Sequence, residues 1–271
     1  MEISRVTPLQ AAQAHGVVIV IDVIRAFTVA AYAFAGGASR LWLVRMVEEA
    51  HALRAKNPQA LLAGEIGGRL IDGFHFNNSP SLIAAADIRG RVIIQRTGAG
   101  TQGAVNAVYA THLLLCSLTN AHATALYARK LAESAEGLVT LLPTAAFEDS
   151  YQDEDDVCAD YLEALLQERD DAAEVLAGGI AYLHAIERFQ WFEPDTSDAP
   201  LADVAAILAT DCFNFAMVGT AITSDLIVPS MPHHALHPAS TSSLVMPNSS
   251  INSTSFRLVE VRAVDVSGLR V

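Results

Sequence analysis

The chain has 271 residues, 52% of them hydrophobic, which fits a soluble globular protein built as one large domain or two closely joined ones. A formal charge of −13 and a pI near 5.0 exclude nucleic acid as the main partner, because gripping a phosphate backbone takes clustered Lys and Arg. A protein this acidic that handles an anion has to gather its few arginines, or a metal, in one place.

Gly16 is followed by an aliphatic run from Val17 to Ile21 that ends at Asp22, with Arg25 close behind. Such a run reads as a strand buried on both faces, and a charged pair at its carboxyl end marks the edge where open α/β sheets bind ligands. Ala26 to Ala35 follows as a helix stopped by Gly36-Gly37. Leu41 to Val44 reads as a second strand, and Val47 to Lys56 as an amphipathic helix closed by Asn57-Pro58. Ala60 to Ala63 is a third strand, leading into Gly64-Glu65 and a glycine-rich loop through Asn78. Ser79-Pro80 starts a helix, with serine at the cap and proline in the first turn.

Arg91 to Gln95 is a fourth strand, and Arg96-Thr-Gly-Ala-Gly-Thr101 turns into a helix through about Ala110. His112 to Cys116 is a fifth strand, after which Ser117-Leu-Thr-Asn120 leads into a helix to about Glu133, and Leu138 to Leu142 is a sixth. This rhythm predicts an α/β fold with a mostly parallel sheet covered on both faces. Residues 153–209 read as a helical covering region, so that 1–230 form the α/β domain. Residues 231–271 read as a low-complexity tail, in which Leu258 to Arg262 is an edge strand or a non-native extension.

Four strand ends deliver polar turns, and right-handed connections in a parallel sheet place such turns on one edge. They bring Asp22 and Arg25, then Glu65, then Arg96 with Thr97 and Thr101, then Ser117 with Asn120. Gly98 and Gly100 let backbone N–H groups approach an anion at the start of the following helix, so the turn reads equally as a phosphate cradle or as a tight turn without ligand. It has neither the lysine of a Walker loop nor the dinucleotide spacing. Asn78 and Ser79 make a second helix start of the same kind.

Asp22 and Glu65 suit a hard cation such as Mg²⁺, and Asp22 with Arg25 suits a buried ion pair; the residue types leave both open. The acidic run from Glu148 to Asp156 reads first as a solvated helix start favoured by the macrodipole, with Glu148 and Asp149 placed to reach a metal. The nine histidines show no metal spacing, and His75 alone lies in a motif-bearing loop. Ser117 is not in a nucleophile elbow. Cys116, Cys158 and Cys212 form no CxxC pair, in keeping with a reducing compartment and small buried side chains. No leader opens the chain and the run before Asp22 is too short to cross a bilayer, so no membrane contact and a cytoplasmic location are expected.

Taken in order, Val-Ile-Asp22-Val-Ile-Arg25-Ala, Gly64-Glu65, Gly73-Phe-His-Phe-Asn-Asn78-Ser79-Pro80, Arg96-Thr-Gly-Ala-Gly-Thr101-Gln and Ser117-Leu-Thr-Asn120-Ala resemble the 2-phosphosulfolactate phosphatase family. The resemblance spans about residues 17–230 and includes Glu148-Asp149 and Leu226-Ile-Val-Pro229. It implies a three-layer α/β/α fold and Mg²⁺-dependent hydrolysis of a phosphate monoester, 2-phosphosulfolactate giving 3-sulfolactate and phosphate on a route to coenzyme M. The chain departs from the family pattern at His75, where an aspartate usually follows Gly-Phe, and at Ile66, where an arginine usually follows Gly-Glu; Arg69 is close enough in sequence to replace that charge.

The expected activity is a magnesium-dependent phosphatase acting on a small anionic phosphomonoester, with roles set by residue type. Asp22 and Glu65, joined by Glu148 and Asp149, hold Mg²⁺, while Arg25 and Arg96 clamp phosphate or a second substrate anion through bidentate guanidinium geometry. Thr97, Thr101 and the backbones of Gly98 and Gly100, with Asn78, Ser79, Ser117 and Asn120, contact phosphoryl oxygens, and His75 is the candidate general acid. Two alternatives stand beside this: a silent anion-binding protein of the same fold, and a phosphatase for another small ester. Alanine-rich helices suited to close packing leave a homodimer open.

Overall fold

The structure, a computed structural model, describes residues 1–144, 153–194, 196, 198–224 and 256–269. Its strands are β1 (Glu2–Arg5), β2 (Val17–Ile21), β3 (Arg40–Leu43), β4 (Leu61–Ile66), β5 (Arg69–Leu70), β6 (Val92–Arg96), β7 (His112–Cys116), β8 (Leu138–Pro143), β9 (Phe215–Ser224) and β10 (Phe256–Asp265). Its α-helices are α1 (Ala26–Ala35), α2 (Val47–Lys56), α3 (Pro80–Ala84), α4 (Gly100–Asn106), α5 (Ala121–Ala132), α6 (Glu154–Leu166), α7 (Ala172–Ala185) and α8 (Ala202–Ile207).

Every residue of β2 is buried, as its aliphatic run requires, and alternate side chains serve opposite faces. Val18 and Val20 pack with Phe27 and Ala30 of α1, whereas Val17, Ile19 and Ile21 pack with Ala125 of α5 and Leu162 of α6. The same alternation holds across the sheet, where Leu41 and Leu43 of β3 join the α1 side and Leu62 and Ile94 join Ala50 and Leu53 of α2. One mixed sheet thus lies between two helical layers, the three-layer α/β/α arrangement expected. Among the described residues no helix is long and apolar enough to cross a membrane.

The strand order is β1-β8-β2-β7-β9-β10-β3-β6-β4-β5, and five of the nine pairings are parallel. Two expectations change here. The segment expected at Leu258–Arg262 as an edge strand or extension is β10, which pairs with β9 on one side and β3 on the other in mid-sheet. The sheet therefore draws its strands from both sides of the boundary placed at residue 230.

The second change concerns direction. Because β9 and β10 are antiparallel to each other and to their outer neighbours, β3, β6 and β4 run opposite to β1, β8, β2 and β7. Polar turns after β2 and β6 were expected to meet on the single edge of a parallel sheet, yet in an open flat sheet these turns would lie at opposite edges. They meet all the same at the start of α1, where Gly100 packs against Asp22 and Gln95 Nε2 donates to the Ala26 carbonyl at 2.8 Å. Smaller differences are α4, which ends at Asn106 rather than near Ala110, and β1 and β9, which the residue pattern does not announce.

Candidate active site

Asp22 leaves β2 where its N–H still donates to the Cys116 carbonyl at 3.1 Å, and its Oδ1 accepts the Ala26 N–H at 2.8 Å at the start of α1. It is 4% exposed. Burial pushes its carboxyl up to about 7, the charges of Glu154 and Glu65 push the same way, and the N–H groups of Ala26 and Gly100 pull it back. Gly100 is pressed so close that a Cβ there would stand 2.5 Å from Asp22 Oδ2.

Glu65 comes from β4 and braces two turns, Oε1 accepting the Gly98 N–H at 2.6 Å and Oε2 the Gly68 N–H at 2.8 Å. Gly64 just before it has φ +147°, and a side chain there would run into the Arg96 carbonyl, so only glycine lets β4 pass β6 at this point. Arg96 donates Nη1 to the Glu65 carbonyl at 2.9 Å and Nε to the Arg45 carbonyl at 3.2 Å. Among the described residues no carboxylate pairs with it. Thr97 and Thr101 are buried and face each other: the Thr97 N–H donates to Thr101 Oγ1 at 2.9 Å and the Thr101 N–H to Thr97 Oγ1 at 3.2 Å. Their hydroxyls shape the turn from within, and the exposed Gly98 forms its outer rim.

Arg25 does not pair with Asp22. Its Nη1 donates to Asp203 Oδ2 at 2.8 Å, with side chains 2% and 0% exposed, and its guanidinium lies 5.5 Å from the Trp191 ring centroid and 5.7 Å from that of Phe192. This sealed position does not match the expected phosphate clamp, and the Asp22–Arg25 ion pair that the residue types left open is replaced by one with α8. Asp203 Oδ1 also accepts Ser79 Oγ at 2.7 Å, the Ser81 N–H at 3.0 Å and Ser81 Oγ at 2.6 Å. The Ser79 hydroxyl is therefore committed and fully buried. Asn78 is 5% exposed and its Oδ1 is buried without a partner among the described residues.

Ser117 and Asn120 are likewise turned inward. Ser117 Oγ lies 2.7 Å from Thr119 Oγ1, and Asn120 accepts the Ser117 N–H at 3.1 Å and donates to Thr124 Oγ1 at 3.0 Å, a capping arrangement at the base of α5. His75 is set apart. It is exposed, its Nδ1 accepts the Leu62 N–H at 3.0 Å, and burial, Arg54 and Arg91 lower its pKa. Its ring is engaged at the start of β4, whereas Glu65 lies toward that strand's far end, so it does not stand with the carboxylates as a general acid would. Glu148 and Asp149 lie outside the described residues.

The acidic run holds the residues that sequence reasoning undervalued. Asp153 caps α6 through the Asp155 and Asp156 N–H groups, but Glu154 and Asp155 are each 1% exposed, not solvated. Asp155 accepts the Val23 N–H at 2.7 Å and the Thr144 N–H at 3.1 Å, tying the ends of β2 and β8 together. Its carboxyl is raised well above the usual range by burial, then by Asp22, Glu154 and Asp153; that of Asp153 is raised to about 6, chiefly by burial. Glu154 is clamped by Arg188, whose Nε and Nη2 donate to its two carboxylate oxygens. Asp198 accepts Asn77 Nδ2 at 2.8 Å, so Arg188, Asp198 and Asp203 each bind a residue of the acidic run or of the loop before α3. Cys116 and Cys158 are buried as expected and Cys212 is exposed.

Asp22 and Glu65 offer hard oxygen donors where buried negative charge is incompletely balanced, which fits a magnesium-type ion by donor chemistry. Among the described residues no group of three or more His, Cys, Asp and Glu is arranged to hold a metal ion. Two carboxylates suit an ion that keeps most of its own waters.

A sequence profile described as 2-phosphosulpholactate phosphatase matches residues 3–193. The chain belongs to that family. Family members of known sequence include proteins named probable 2-phosphosulfolactate phosphatase from Bacillus subtilis (strain 168), 39% identical over 151 residues, and from Deinococcus radiodurans, 41% identical over 124 residues. A third, from Thermus thermophilus, is 44% identical over 117 residues. These alignments cover 55%, 45% and 43% of this chain and 63%, 52% and 48% of the relatives' lengths. The family match takes in Asp22, Glu65 and the Arg96–Thr101 turn and ends before Asp203 and α8. Asp203 left one signal in the sequence, a single carboxylate inside the apolar stretch Leu201-Ala-Asp-Val-Ala-Ala-Ile-Leu208.

Proposed function

We propose that this chain is a magnesium-dependent phosphatase for a small, highly anionic phosphomonoester, hydrolysing 2-phosphosulfolactate to 3-sulfolactate and phosphate. The observation that carries the reading is the meeting of Asp22, at the end of β2, with Glu65 and the glycine turn after β6. Names borne by the relatives from Bacillus subtilis and Deinococcus radiodurans support the substrate class.

Phosphoryl transfer asks for charge neutralisation and in-line positioning more than for covalent chemistry. Asp22 and Glu65 would hold Mg²⁺, whose chemistry there is Lewis-acid neutralisation of phosphoryl oxygens. Glu65 sets the Gly98 side of the turn and Thr97 with Thr101 set its inside, so the backbone arrives already shaped. Arg96 adjoins that turn with a charge that no described carboxylate cancels, and it takes the anion-binding role that Arg25, sealed against Asp203, does not.

The test is phosphate release by purified protein over a panel containing 2-phosphosulfolactate, phosphoglycolate and 3-phosphoglycerate, with Mg²⁺ and then with EDTA. Release is expected to be fastest from 2-phosphosulfolactate and to stop with EDTA, and Asp22→Asn is expected to fall by about a thousandfold or more while melting at a temperature no lower than the parent's. Faster release from another ester would reassign the substrate. No release from any, with phosphate still bound, would sink the enzyme reading.

A further inference from the structure

Arg25 follows Asp22 by three residues, yet its guanidinium turns away from it to Asp203 on α8. Both oxygens of Asp203 are occupied, one by Arg25 and the other by Ser79 and Ser81 at the start of α3, so the carboxylate is fixed from two sides. Trp191 and Phe192 close over the cation. Meanwhile Asp22, equally buried, has no cation paired with it among the described residues; its partners are backbone N–H groups. A buried guanidinium deprived of its counter-charge is strongly unfavourable and seeks the next carboxylate in reach. On its own loop, that carboxylate is Asp22.

We infer that Asp203 is a positioning residue: by holding Arg25 it keeps that cation off Asp22 and leaves the Asp22 carboxylate free for the reaction. This rests on the phosphatase reading above, in which Asp22 needs its oxygens. Asp203 acts only through Arg25 and touches no reacting atom. It lies beyond residues 3–193, which the family profile matches.

Asp203→Asn keeps the shape of the side chain and an oxygen acceptor for the two serines, while removing the charge that faces Arg25. Its kcat is expected to fall about tenfold or more with KM within about threefold, because the freed cation ties up Asp22 and leaves substrate binding as it was. Removing the freed cation as well, in the Arg25→Met/Asp203→Asn double variant, is expected to return kcat about tenfold toward the parent. A double variant as slow as Asp203→Asn overturns the inference, and so does a single variant with parental kcat. A crystal structure of Asp203→Asn gives a readout that needs no activity: Arg25 paired with Asp22 supports the inference, and Arg25 still lying under Trp191 overturns it. Should Asp203→Asn fail to fold, the double variant decides, folded and active in support or folded and slow against. Inactivity of the parent protein on every ester removes the phosphatase reading and leaves the crystal structure to judge Arg25.

Discussion

Gly100 has no side chain because Asp22 occupies the space where one would stand. An added Cβ would lie 2.5 Å from Asp22 Oδ2 and 2.8 Å from the Ala26 Cβ, and Asp22 is itself pinned by the Ala26 N–H. Neither neighbour is the free end of a flexible surface chain. Gly100→Ala is therefore expected to cost about 1–3 kcal/mol of stability, the usual range for overpacking, and to lower phosphate release about tenfold by displacing the Asp22 carboxylate. Urea melts and steady-state kinetics on the same preparation check both. Unchanged stability would mean that the backbone of α4 yields easily, and Asp22 would then not be held by the packing of the turn. At this scale the sequence announced the turn and its glycines, since strand, polar turn and helix follow one another in order. It did not announce which carboxylate meets which arginine, because Arg25 and Asp203 are 178 positions apart and charge type alone assigns no partner.

The elements divide by how local their causes are. β2 and α1 were legible because every side chain of the strand is buried and the helix is bounded by the Asp22 turn and Gly36-Gly37. β10 was not, because a short apolar run after a Ser-rich stretch looks the same whether it ends up at an edge or in the middle, and its place is set by pairing with β9 and β3. Strand direction was invisible for a related reason, as an aliphatic run reads alike both ways. The central place of β10 has a consequence that an edge strand would lack. Val259 and Val261 are fully buried against the α1 side, and removing the strand would leave β9 and β3 with unpaired backbone and an opened core. A chain ending at residue 255 is accordingly expected to lose cooperative thermal unfolding and to aggregate, as read by circular dichroism and gel filtration. A truncated protein that melts like the full chain would show that β10 adds little to the sheet.

For the whole molecule, the buried carboxylates bind stability to pH in a direction opposite to ordinary acid unfolding. Asp22 is raised to about 7 and Asp153 to about 6, and Asp155 is raised well above the usual range, in each case first by burial. A folded-state pKa above the unfolded value of about 4 means that the folded protein holds more protons across the interval between them. The contribution is therefore fully present below about pH 4 and is lost as pH rises through about 6 and 7. Asp171, Glu260 and Asp265 are lowered by their hydrogen-bond partners, so their contributions fail only as pH falls below the usual carboxylate range, outside this window. His75, also lowered, opposes the trend as pH falls below its usual value near 6.5, one partly exposed group against three buried ones. Metal-free protein in EDTA is thus expected to melt several degrees higher near pH 5.5 than near pH 8. Saturating Mg²⁺ is expected to raise the melting temperature mainly at the upper end, because a cation at Asp22 and Glu65 stabilises the ionised carboxylates, and Asp22→Asn is expected to flatten the slope even without the ion. Melting curves across that range, for parent and variant with and without Mg²⁺, decide it. A parent protein that grows steadily more stable from pH 5.5 to 8 in EDTA would show that the acidic cluster is already neutralised by the chain's own arginines, and the case for a cation at Asp22 would fall with it.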